Sequence, residues 1–180
     1  MQNKIVKIDG YVFEEYITYS EILDKIHKIS TLINNHYKNE AFVVVCLLKG
    51  SFLIFSELLK YLPHNIEIEF IQISSYEGMS QNDIISIDEK KIDTDGKNIL
   101  IIEDIIDSGR TIRKFQKYLK KNNPNSIKIF SLLYKQKSKV DIAWYAFKVP
   151  DKFYIGFGLD YNQKYRNLLS IYIKKDDHEK

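Results

Sequence analysis

The residues best equipped for chemistry lie together in Ile101-Ile102-Glu103-Asp104-Ile105-Ile106-Asp107-Ser108-Gly109-Arg110-Thr111, where an apolar run meets three carboxylates and then a turn rich in hydroxyls. Successive backbone N–H groups from Asp107 to Thr111, two hydroxyls and the start of a following helix make a cradle for a phosphate dianion. Gly109 lets that backbone approach the anion closely. Glu103 and Asp104 beside the cradle would repel a bare phosphate, so the ligand must also bring hydroxyls or a divalent cation. A phosphorylated sugar with Mg²⁺ satisfies both halves. The local alternative is a pair of solvated acids followed by Ser108 as an N-cap, and spacing alone does not separate the two. Two other nucleotide readings drop out, because neither G-x-x-x-x-G-K-[ST] nor a G-x-G-x-x-G after a strand is present.

The surrounding elements follow from hydrophobic spacing. Ser20, as N-cap with Glu21 behind it, opens an amphipathic helix through Ile22, Ile26, Ile29 and Ile33. Ala41 to Leu48 reads as a parallel strand buried on both faces and ends in the turn Lys49-Gly50. Ser51 to Leu62 resumes helical spacing until Pro63, and Ile66 to Ile73 alternates as a half-buried strand. Ser74 to Asp83 is polar, contains Gly78 and is expected to be a mobile loop that can act as a lid. Asn98 to Ile102 is a strand passing into an acidic loop at Glu103-Asp104. Thr111 to Leu119 is a helix with Ile112, Phe115 and Leu119 inward. SIKIFSLLY, WYAFKV and FYIGFGLDY are β-rich, the last two separated by the turn Pro150-Asp151. Strands alternating with helices predict an α/β fold with a mainly parallel central sheet, helices on both faces and a ligand site beyond the strands' carboxyl ends.

Composition excludes several classes. A chain of 180 residues, 44% hydrophobic and 28% charged, is too apolar for disorder and long enough for a core without staples. With no internal repeat or linker, one domain over 1–180 is expected. Twenty-seven Lys and Arg against 24 Asp and Glu leave +3 without a long single-sign block, so no nucleic-acid partner is demanded. The lone Cys46, in an apolar setting, cannot form an internal bridge and suits a reducing cytoplasm. No apolar run approaches a membrane span, and the first residues lack a signal-peptide pattern. His27, His36, His64 and His178 show no metal-ligand spacing.

IIEDIIDSGRT resembles the phosphoribosyl diphosphate signature of type I phosphoribosyltransferases. LLKGS, ISSYEG, LLYK and VPDKFYIGFGLDYNQKYRNL occur in the order found in the hypoxanthine-guanine branch. The likeness spans essentially the whole chain. It implies the type I fold, with a small hood formed by the N- and C-terminal segments, and a homodimer or homotetramer. The implied activity is purine salvage: Mg²⁺-dependent transfer of the phosphoribosyl group of 5-phosphoribosyl 1-diphosphate to hypoxanthine or guanine.

The resemblance also implies residue roles. Glu103 and Asp104 would take the ribose hydroxyls, directly or through the Mg²⁺ shell, as acceptor-only groups can. Asp107 would be the general base at purine N7. Ser108, Gly109, Arg110 and Thr111 would hold the 5′-phosphate. Lys49 and Gly50 would form the pyrophosphate loop, with a cis peptide before the lysine, and Arg166 would add a planar fork for phosphate oxygens. Lys135 would donate to the 6-oxo group, selecting against the 6-amino group of adenine. Phe153 would stack on the purine, and Tyr154 would meet its far edge through the backbone. Asp160 would help place a second Mg²⁺ and recognise the base edge, making Glu103, Asp104 and Asp160 the metal-facing acids. Ser75 and Tyr76 would begin the closing lid. Departures from the pattern are a lid carrying Glu77 and Asp83 without Lys or Arg, and the acidic DIISIDEKKID after it. Within the family, a xanthine- or guanine-preferring enzyme is the near competitor. A nucleic-acid-binding regulator that kept the fold is the distant one.

Overall fold

The structure, a computed structural model, describes residues 4–38, 40–75, 85–87 and 92–175. Strands β1 (Ile5–Ile8) and β2 (Tyr11–Ile17) form a hairpin through Asp9-Gly10, both at positive φ. Asp-Gly is a strong hairpin-turn signal, because both central residues of such a turn need left-handed backbone. Helix α1 (Tyr19–Tyr37) follows and buries Ile22, Ile26, Ile29 and Ile33 as the spacing predicts. Its N-cap is Thr18, not the expected Ser20. The Thr18 hydroxyl accepts the Glu21 N–H at 3.3 Å while the Glu21 carboxylate accepts the Thr18 N–H at 2.8 Å, a reciprocal pair that fixes the start two residues earlier.

The chain continues through β3 (Phe42–Leu48), α2 (Phe52–Leu59), β4 (Glu67–Ser75), β5 (Ile85–Ile87) and β6 (Asn98–Ile106). After α3 (Arg110–Leu119) and a 3₁₀ turn come β7 (Ser126–Lys135), β8 (Trp144–Val149), β9 (Tyr154–Ile155) and β10 (Ile171–Lys174). The central sheet runs β5-β4-β3-β6-β7-β8. Its five members from β4 to β8 are parallel, and β5 pairs antiparallel with β4.

Burial on both faces explains the unbroken apolar run of β3. Val44 and Cys46 join the cluster under α1 and α2, whereas Val43, Val45 and Leu47 join the cluster under α3, with Ile112, Phe115 and Leu119. Each such side chain removed from water stabilises the fold by about 1.5–3 kcal/mol. β4 is less covered than its alternation predicts: Ile71 is buried, but Ile68 and Phe70 stay 42% and 49% exposed, although the Phe55 ring of α2 meets Phe70 edge-on at 5.2 Å.

Two further expectations are corrected. Glu103 and Asp104 lie inside β6, which runs on to Ile106, and not in a loop beyond it. Of FYIGFGLDY only Tyr154 and Ile155 form a strand, since Gly156, Phe157 and Gly158 all take positive φ and turn the chain. That short β9 completes a second, antiparallel sheet of order β1-β2-β10-β9, the expected hood, with Ile8, Phe13, Ile155 and Tyr172 as its own core. The loop expected from Ser74 includes the end of β4. Tyr76 and residues 77–83 lie outside the described residues.

Candidate active site

Parallel strands put their carboxyl ends on one edge, and there the chain gathers Lys49-Gly50 after β3, Glu103 to Thr111 around the end of β6, Lys135 at the end of β7 and the hood turn at Gly158. The Leu48–Lys49 peptide is cis, as the resemblance implied. Gly50 is buried, and Lys49 is exposed. A Cβ on Gly50 would collide with the Asp104 carboxylate, and one on Gly158 would collide with the Gly50 carbonyl. Three chain segments therefore touch backbone to side chain at a point where no side-chain carbon fits.

The pair Glu103 and Asp104 sits half-buried at this junction. Burial, then the charge of Asp104 and a hydrogen bond to it, holds the Glu103 carboxyl well above the usual carboxylate range. Burial also raises Asp104, opposed by N–H donation from Ile105 at 2.8 Å, by Glu103 and by the charge of Arg166. Glu103 Oε2 is buried with no hydrogen-bond partner among the described residues. Two adjacent carboxyls that cannot both ionise cheaply, one with an unused oxygen, fit a divalent cation that would replace the retained proton. No group of three His, Cys, Asp or Glu forms a metal cage among the described residues, and Asp160 does not join the pair. That donor set suits Mg²⁺, which takes one or two carboxylates and fills its other positions with water and substrate oxygens.

Beyond Asp107 the backbone bends into a narrow cleft of about 80 Å³ lined by Ser108, Gly109, Arg110 and Thr111. Gly109 is the N-cap of α3, at φ 73°, with Val140 packed where a Cβ would stand. Ser108 is therefore not the N-cap; its hydroxyl meets the Arg110 N–H at 3.4 Å. Arg113 Nη2 donates to the Ser108 carbonyl at 2.9 Å and ties the bend to the first turn of the helix.

Asp107, at the rim, belongs to a four-residue ion cluster. Lys135 Nζ lies 2.9 Å from Asp107 Oδ2 and 3.0 Å from Asp151 Oδ1. Lys137 Nζ lies 2.9 Å from Asp107 Oδ1 and 2.7 Å from Asp151 Oδ2. Partial burial pushes Asp107 up, but hydrogen bonds and charge from both lysines prevail and leave it below the usual carboxylate range. Asp107 is thus an ionised acceptor.

Beside this cluster a pocket of about 210 Å³ is bounded by Asp107, Lys135, Lys152, Phe153, Tyr154 and Asp160. Lys135 is buried there, and Phe153 is 47% exposed, its ring set edge-on to Phe13 and Tyr161 at 6.3 and 6.1 Å. That exposure leaves a ring available for stacking. Tyr154 is buried with its hydroxyl on the Pro150 carbonyl at 3.0 Å, leaving its backbone at the pocket. Asp160 and Arg166 pair at 2.7 Å, and Arg166 also donates to the Gly158 carbonyl at 2.8 Å. Ser75 ends β4 near this edge of the sheet. A larger recess, about 510 Å³ at Ile92 to Asp95 and Lys121 to Asn123, opens at the opposite, amino-terminal edge and gathers none of these groups.

Sequence reasoning missed Lys137, Asp151 and Gly158. The i, i+2 lysines at the end of β7 read as a solvated run, and Asp151 as half of a turn. Only the parallel pairing of β7 with β8 brings the two together.

A family model described as "Phosphoribosyl transferase domain" matches residues 15–162. The hypoxanthine phosphoribosyltransferase of Haemophilus influenzae is 37% identical over 161 residues, 84% of this chain and 89% of that one. The hypoxanthine-guanine phosphoribosyltransferase of Streptococcus pyogenes serotype M3 is 33% identical over 168 residues, 89% of this chain and 93% of that one. A crystal structure of a hypoxanthine phosphoribosyltransferase from Staphylococcus aureus superimposes with a TM-score of 0.83 at 31% identity, covering 90% and 91% of the two chains.

Proposed function

The chain belongs to the phosphoribosyltransferase family, in its hypoxanthine-guanine branch, and from this we propose how its own residues divide the work. The reaction is purine salvage: the phosphoribosyl group passes from 5-phosphoribosyl 1-diphosphate to hypoxanthine or guanine, giving IMP or GMP and pyrophosphate. Glu103 and Asp104 take the ribose hydroxyls and would hold Mg²⁺, and Asp160 would serve a second ion. Bound Mg²⁺ would neutralise charge that builds on the leaving diphosphate. Backbone N–H groups and hydroxyls from Ser108 to Thr111 bind the 5′-phosphate, while Lys49, Gly50 and Arg166 bind the diphosphate. Ser75, the end of β4, and Tyr76 after it are assigned to the start of a lid, a role that would keep water from the reacting centre.

One observation carries the base assignment. The Lys135 ammonium stands 2.9 Å from Asp107 on the wall of a pocket that also exposes Phe153. A 6-oxopurine presents its O6 and N7 side by side on one edge. A donor and an ionised acceptor at hydrogen-bond separation match O6 and a protonated N7 together. Adenine would set its 6-amino donor against the lysine and leave a charged donor unpaired. As the base adds to C1′, Asp107 takes the N7 proton, and it returns that proton in the reverse direction.

The exposed Phe52, Ile68 and Phe70 on α2 and β4 support assembly with a second copy, as a homodimer or homotetramer. The buried, unbridged Cys46 supports a cytoplasmic setting, and the small net charge supports small-molecule partners without nucleic acid. Magnesium-dependent turnover of phosphoribosyl diphosphate with hypoxanthine, guanine, xanthine and adenine tests the assignment. Rapid use of the first two is expected, and equal use of adenine, or no turnover with any base, refutes it.

A further inference from the structure

The roles above use Asp107 and Lys135 and leave half of their ion cluster unexplained. Asp151 and Lys137 are each about half exposed, whereas Lys135 is only 10% exposed. The two lysines divide the carboxylates symmetrically, so that every oxygen of Asp107 and Asp151 meets one ammonium. An ammonium has three donors. Lys135 spends two on the aspartates and keeps the third for whatever occupies the purine's 6-position.

We propose that Lys137 is a specificity-determining positioning residue: by covering Asp107 Oδ1 and Asp151 Oδ2, it makes the 6-position see only a donor. This rests on the purine-salvage reading of the same pocket. With Lys137 present, the cluster carries two positive and two negative charges, every carboxylate oxygen is met by an ammonium, and the third Lys135 N–H is the donor offered to the 6-position. Without Lys137, Lys135 alone faces two carboxylates: Asp107, on the pocket wall, and Asp151 each lose the ammonium over one oxygen, and the cluster turns net negative beside the pocket. A carboxylate oxygen repels a carbonyl and accepts from an amine, so the change penalises hypoxanthine and favours adenine.

Lys137→Met, with Lys137→Arg as the conservative control, tests this in the magnesium-loaded enzyme. The ratio of kcat/KM for hypoxanthine over adenine is expected to fall about tenfold in Lys137→Met, the scale of one charge-assisted hydrogen bond, and to stay near wild type in Lys137→Arg. Adding Asp151→Asn to Lys137→Met should restore much of the ratio by removing the uncovered charge. A ratio within twofold of wild type in Lys137→Met overturns the proposal. So does an equal loss with both bases accompanied by a lower Tm, which is what a merely structural lysine would give. Wild-type protein that turns over neither hypoxanthine nor guanine would instead overturn the function reading itself.

Discussion

Replacing Gly50 by alanine separates what the junction contributes to folding from what it contributes to chemistry. The new Cβ would stand well inside 3.0 Å from the Asp104 carboxylate, a separation that real Cβ atoms essentially never show. Ordinary contact requires about 3.4 Å or more, so either the loop or the carboxylate must retreat by at least about 1.5 Å. The carboxylate is the softer partner, being the end of a side chain held by the Ile105 N–H at 2.8 Å and by the hydrogen bond with Glu103, with no backbone of its own to move. Losing one of these bonds costs about 1–3 kcal/mol of stability. The catalytic penalty is larger, because a misplacement of roughly 1 Å at a reacting centre is worth about 100-fold in rate. Gly50→Ala should therefore remain folded, with a Tm lowered by only a few degrees, while kcat/KM for phosphoribosyl diphosphate falls about 100-fold. Gly158→Ala makes the complementary case. Its Cβ would meet the Gly50 backbone carbonyl at φ 97°, so backbone must move and the Tm loss should exceed that of Gly50→Ala. Melting curves and steady-state kinetics on both variants decide. A Gly50→Ala enzyme with wild-type kcat/KM would refute the idea that Asp104 is positioned by the absence of a side chain at Gly50.

Two other outcomes follow from the carboxylates. The folded-state pKa of Glu103 is raised above the ordinary 4.5, so between those values the folded protein keeps a proton that the unfolded chain has released. Stability of the metal-free protein should thus decline as pH rises from about 5 toward the raised value, Mg²⁺ should recover more Tm at pH 8 than at pH 6, and Glu103→Gln should remove both trends in thermal melts. A Glu103→Gln protein with an unchanged Mg²⁺ increment would refute the pairing of metal and retained proton. Asp107→Asn keeps the shape but cannot take a proton, and its turnover should drop by about 100-fold or more with hypoxanthine and guanine alike. Normal turnover with both would remove the proton-transfer role.

The parts of the molecule legible in sequence were those governed by local pattern. The two-faced burial of Val43 to Leu47, the inward stripe of Ile112, Phe115 and Leu119, and the acid-to-hydroxyl passage from Glu103 to Thr111 each announce themselves over a few residues. What escaped depends on distant segments meeting. Ile68 and Phe70 alternate like buried residues, yet among the described residues they stay open, with Phe55 of α2 touching only the edge of Phe70. FYIGFGLDY has strand composition, yet its glycines take left-handed turns to bring Gly158 against Gly50. Lys137 and Asp151 lie 14 positions apart and meet because β7 and β8 run side by side. Ser20 lost the helix start to Thr18 because the contact with Glu21 needs three-residue spacing.

In the hood, β2 is bordered by β1 on one side and by β10 on the other, so residues 11–17 await partners at 171–174. A two-stranded hairpin by itself is marginal in water. During synthesis the central sheet, whose last strand ends at Val149, therefore has all its strands before the hood sheet, which needs residues 171–174, can close. The segment between them carries Phe153, Asp160 and Arg166, so closing the hood is the step that fixes these groups against the rest of the site.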